Sequence, residues 1–103
     1  MADEILFMRI LSASRFPTGH LVATAGVDTL VREGRLIPAP YLRRHVNGDW
    51  GDVDDSERRQ NDAALASGEG RLFSVYRIAP DLNLWIITEA DRSVTTMLLP
   101  GEY

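Results

Sequence analysis

The last third of the chain is built from residues that favour extended backbone. RLFSVYRI, NLWIIT and SVTTMLL are separated by Ala79-Pro80-Asp81 and Glu89-Ala90-Asp91-Arg92. Runs rich in Val, Ile, Thr, Tyr, Phe and Trp, joined by connections this short, predict an antiparallel meander. The alternation is not that of a half-solvated sheet, because Leu72, Tyr76 and Ile78 fall on one side of the first strand and Phe73 and Val75 on the other. Both faces therefore need cover. Helices from the middle of the chain can supply one cover, leaving the second face to an N-terminal arm, a second copy of the chain, or a partner.

The preceding segments carry helix punctuation. His20 to Thr24 reads as a short extended piece ending at an N-cap, followed by a helix over Ala25–Glu33 closed by Gly34. Pro40 suits a first helical turn, and a helix Tyr41–Val46 ends at Asn47-Gly48. Asp54 with Glu57 three residues on forms a capping-box pattern, which starts a helix that stops at Gly68. Residues 1–15 read as an appended strand or arm, with Ile5, Phe7 and Arg9 on one face and Leu6, Met8 and Ile10 on the other; Phe16-Pro17-Thr18-Gly19 is then a turn. The expectation is one α+β domain over residues 16–103, short helices packed on a three- to four-stranded antiparallel meander, since 103 residues do not support two cores.

The composition removes several chemistries. There is no Cys, so disulfides, thiolate metal sites and cysteine nucleophiles are excluded, which fits a cytoplasmic location. A formal charge of −4 disfavours a general phosphate-backbone binder. All 11 basic residues are Arg, which reads as a codon bias or as selection for forked recognition of carboxylate and phosphate. ILFMRIL follows two acids rather than a basic region and is too short to span a bilayer, so neither a signal peptide nor a membrane segment is expected.

The stretch HVNGDWGDVDDSE, residues 45–57, concentrates five acidic side chains around one of two tryptophans and one of two histidines. An EF-hand loop started at Asp52 would need Gly at position 57 and Glu at position 63, where Glu57 and Ala63 stand. Zinc would need more His or Cys, so no metal and no cofactor is expected. Nothing in the spacing of Asp49, Asp52 and Asp54 marks paired catalytic carboxylates. Two readings remain. In one, the stretch is turn chemistry between helices with Trp50 packed on the core. In the other, Asp49, Trp50, Asp52, Asp54 and Asp55 form a contact loop for a basic groove on another macromolecule.

His45 raises a parallel choice. It sits in a last helical turn, where the helix dipole would favour its protonated form. Alternatively it is a general base working with Arg92 and Thr96, in company with Ser93, Thr95 and Tyr76. A His-bearing helix followed by a meander resembles the element order of small barnase-like and RelE-like ribonuclease domains, without a diagnostic motif. No Walker loop, G-x-G-x-x-G, G-x-S-x-G or H-E-x-x-H occurs.

FPTGHLVATAG, RHVNGDWGDVD and LWIITEADRSVTTMLLPGEY together resemble a family of small bacterial proteins of plasmids, integrative elements and phages labelled "plasmid-related protein". The resemblance covers residues 16–103. Asn47, where Ser is common, and Gly101 depart from the pattern. It implies a mobile-element origin and a cytoplasmic accessory role, with no transferable activity. Small acidic proteins of such elements share their setting with counter-defence inhibitors, anti-CRISPR proteins among them. The expected function is thus protein binding that inhibits a host defence complex, with a ribonuclease-like toxin using His45, Arg92 and Thr96, or a structural homodimer through the second sheet face, as alternatives.

Overall fold

The computed structural model describes residues 8–103 and is an α+β fold. In chain order it contains β1 (His20–Ala23), α1 (Ala25–Arg32), α2 (Ala39–Val46), α3 (Asp55–Ser67), β2 (Leu72–Ala79), β3 (Leu82–Thr88) and β4 (Val94–Leu98), with a closing 3-10 turn (Pro100–Glu102). No helix among the described residues is long and apolar enough to cross a membrane.

Local chemistry sets the helix ends. The Thr24 hydroxyl accepts from the Val27 N–H, and Asp54 and Glu57 complete a reciprocal capping box on α3. Gly68 ends α3 in the left-handed conformation at φ +76°. The expected meander is present, with β2, β3 and β4 antiparallel.

The sheet as a whole is mixed rather than antiparallel, because β1 runs parallel to β4 and completes the order β1-β4-β3-β2. The intervening chain crosses one face and arrives at β4 in the same direction as β1, which no tight turn could achieve. Residues 8–12 are helical, not extended, and Ile10 is buried beside Phe16, Leu42, Val46 and Trp50. Arg15 N–H donates to Val46 O at 2.9 Å. Ile10 thus joins the same core and Arg15 is tied to the end of α2, so this segment is not an appended strand; residues 1–7 of the proposed arm lie outside the described residues.

Helices α1 and α2 cover the face carrying Leu72, Tyr76, Leu84, Ile86 and Met97. On the opposite face Ile87 and Leu98 are also buried. On that face Trp85 meets Phe73 edge-on at 5.1 Å and Tyr103, which follows the C-terminal turn, at 5.6 Å. The turn is held by Glu102, whose carboxylate accepts from the Thr24 hydroxyl, Gly26 N–H and Leu99 N–H, so one acid ties the C-terminal turn to the start of α1.

The outer edge of β2 is closed by side chain and loop. Asn61 of α3 donates to Phe73 O at 2.7 Å and accepts from Phe73 N–H at 3.0 Å. One step along, Val75 N–H donates to Trp50 O at 3.1 Å and Val75 O accepts from Asp52 N–H at 2.7 Å. An exposed strand edge is a template for unwanted pairing, and these four bonds occupy its first half, at Phe73 and Val75. Asn61→Ala is expected to lower unfolding free energy by about 1–3 kcal/mol, because two ladder-like bonds are lost at a buried position; urea denaturation checks this.

Candidate functional site

The acidic stretch is a structural join over most of its length. After α2 the chain turns through Gly48 and Gly51, and Gly51 bridges Val75 at φ +74°. A Cβ there would stand 2.0 Å from Val75 O, so only glycine fits. Asp49 is exposed but ion-paired, receiving Arg44 Nε at 2.7 Å and Nη2 at 3.2 Å. That hydrogen bond holds the Asp49 carboxyl below its ordinary range. The Asp49 carbonyl accepts from the Tyr76 hydroxyl at 2.6 Å, while the Arg44 guanidinium lies 4.7 Å from the centre of the Tyr76 ring.

Trp50 is 1% exposed, which overturns its reading as an exposed contact anchor. Its ring packs against Phe16 and His45, and its N–H donates to Asp62 at 2.9 Å. The indole was drawn inward because Phe16 and α3 supply both an apolar pocket and a rim acceptor. Asp52, Asp54 and Asp55 remain at the surface, and none forms a salt bridge among the described residues.

His45 is fully buried, so its expected protonation by the helix dipole gives way to desolvation. Burial pushes its pKa down to about 3. Nδ1 lies 2.6 Å from Ser74 Oγ and Nε2 lies 2.9 Å from Thr88 Oγ1. Thr88 Oγ1 is 2.7 Å from Thr95 Oγ1, which bonds Thr18 O at 2.8 Å. The carbonyl at the end of this chain can only accept, so the proton order follows: Thr95 donates to Thr18, Thr88 to Thr95, Nε2–H to Thr88, and Ser74 to Nδ1. Neutral His45 is thus fully used.

The catalytic grouping of His45, Arg92 and Thr96 is not assembled. Arg92 donates to the carbonyls of Gly70, Glu89, Ala90 and Ala64, which staples the β3–β4 turn to the end of α3. Thr96 pairs with Ile87 and lies on the sheet face opposite His45, whereas its neighbour Thr95 joins the buried network. Strand alternation separates adjacent threonines in this way.

A groove of about 570 Å³ opens instead between α3 and the outer face of β2 and β3. Its apolar walls are Phe73, Val75, Trp85 and Tyr103, and its polar lining is Glu57, Gln60, Asn61, Arg71 and Asn83. Glu57, Gln60 and Asn61 fall on one stripe of α3, while Phe73, Val75 and Trp85 point outward by strand alternation. Arg71 donates to the Tyr103 hydroxyl at 3.0 Å and stands 5.5 Å from that ring's centre. The lining holds no His, Ser, Thr or Cys; its polar groups are a carboxylate, three carboxamides, a guanidinium and a phenol. Its sequence signal was the second apolar face of the meander; the Tyr103 wall depends on the distant Glu102 anchor and had no local signature. Among the described residues no group of three or more His, Asp or Glu is placed to hold a metal.

Comparison of the chain with protein-family models, with curated proteins and with solved structures finds no match.

Proposed function

We propose that this chain is a small binding protein that acts by occupying a surface of a protein partner, with the groove beside α3 as its contact and Asp52, Asp54 and Asp55 as an acidic flank. The observation that carries the reading is the aromatic groove, open to solvent and lined by Glu57, with Asp54 bonded to Glu57 and the Asp52 N–H bonded to Val75 of the lining, none of these acids forming a salt bridge among the described residues. A concave apolar site with a few polar groups is the usual form of a recognition site, and unpaired acids steer encounter toward a basic surface. A nucleic-acid-binding groove on a host defence complex has that character, and the resemblance to plasmid-related proteins supports a mobile-element accessory role in the cytoplasm.

The test is affinity capture of the tagged full chain from bacterial cells, comparing wild type with Asp52→Arg/Asp55→Arg and with Trp85→Ala. Asp54 is left in place because it caps α3. A discrete protein is expected with wild type, reduced at least tenfold by the charge reversal and more weakly bound at high salt. A bound protein whose recovery and salt dependence are the same in all three would sink the reading. Light scattering separates a foreign partner from a second copy of the chain, and the buried Ile87 and Leu98 leave less apolar area on the outer face for self-association than the sequence implied.

A further inference from the structure

Resting on that binding role, we infer that the groove beside α3 is a receptor for an arginine side chain of the partner. The walls suit the stem and the head separately: Val75 and Phe73 offer apolar surface to the methylenes, and Trp85, half-buried at the groove, offers a ring to a planar cation. Glu57, Gln60 and Asn83 supply acceptors in the same lining. Only one Glu57 oxygen is committed, receiving Asp54 N–H at 3.3 Å, and the Gln60 and Asn83 side chains make no hydrogen bond within the protein among the described residues. A guanidinium has five donors in a fixed fork and stacks on aromatic faces, so it matches a carboxylate, two amides and an indole better than an ammonium does.

The one cation in the lining, Arg71, supports the assignment by its own behaviour. It already lies over the Tyr103 ring and donates to its hydroxyl, so this aromatic cluster takes a guanidinium within the chain itself. Glu57 in the same lining offsets its positive charge. The Trp85 side of the groove is left for a second guanidinium from outside.

The experiment titrates N-acetyl-arginine amide into the full chain and follows the two indole N–H resonances by NMR, with Trp50, buried and bonded to Asp62, as the internal reference and Trp85→Phe to assign them. A saturable shift of Trp85 alone is expected, in the millimolar range proper to one side chain. Glu57→Gln keeps a capping-box residue at that position, so the fold survives, and it should weaken the response about tenfold by removing the charge. Arg71→Ala removes a like charge from the lining and should strengthen the response. Equal shifts with the citrulline or lysine amides, no shift with any probe, or a stronger response to N-acetyl-aspartate amide that disappears in Arg71→Ala would each overturn the inference. If the arginine amide fails while Trp85→Ala still abolishes partner capture, the binding role stands and the arginine assignment falls.

Discussion

Trp50→Ala is expected to cost about 3–5 kcal/mol of unfolding free energy, the range for removing a large buried aromatic side chain. That is a large share of the roughly 5–15 kcal/mol that holds a domain of this size. The indole sits among Phe16, His45 and α3, and its loss would leave a cavity under the loop that closes the β2 edge. Trp50→Phe separates the contributions: it keeps a ring against Phe16 and His45 but releases Asp62, which is exposed and can turn to water. Its cost should be about 1–2 kcal/mol, mostly lost packing and one hydrogen bond. Urea denaturation followed by far-UV circular dichroism measures both. An unchanged midpoint for Trp50→Ala would return the residue to the role of a surface anchor. With the expected result, a loss of partner binding in a Trp50 variant reports unfolding, and Trp85 becomes the tryptophan through which binding is tested.

What was legible in the sequence was the local chemistry. The Thr24 cap, the Asp54–Glu57 capping box, the Gly68 stop and the three strands of the meander each depend on residues within a few positions of one another. What was not legible depends on distant partners. The parallel pairing of β1 with β4 joins segments 74 residues apart at His20 and Val94 (94 − 20). Trp50 reads equally well as anchor or core until Phe16 and Asp62 are known to surround it. His45 reads as a helix-end histidine because its hydroxyl partners lie 29 and 43 residues away. Residues 8–12 fit an extended alternation as well as a helix, and the core contact of Ile10 decides between them. The candidate groove was half visible: Phe73 and Val75 marked a second apolar face, but its boundary by α3 and Tyr103 is a product of assembly. The acidic stretch shows the same division. Its glycines and caps read as turn chemistry, while Asp52, Asp54 and Asp55 stay at the surface.

His45 makes stability depend on pH in a window of its own. In the unfolded chain its imidazole protonates near 6.5, whereas in the fold burial depresses the pKa to about 3. The unfolded state therefore binds one more proton between these values, so the stabilisation is complete above about pH 6.5 and is lost as pH falls. The slope is about 1.4 kcal/mol per pH unit, or about 2–3 kcal/mol between pH 7 and 4.5. Other groups act lower. Asp49 is held down by Arg44, and Glu102 by its bond from Thr24; their contributions are lost only as pH falls below the ordinary carboxylate range. Urea denaturation between pH 7 and 4.5 consequently isolates the histidine. His45→Gln retains a donor and an acceptor for Ser74 and Thr88, is expected to be less stable at pH 7, and should show a nearly flat profile across the window. Parallel loss of stability in wild type and His45→Gln would mean that the imidazole does not remain neutral in the fold. The hydroxyl chain makes that neutrality necessary: a proton on Nδ1 would meet the Ser74 hydroxyl that now donates to it, and turning that hydroxyl would not offset the desolvation of a charge packed between Phe16 and Trp50.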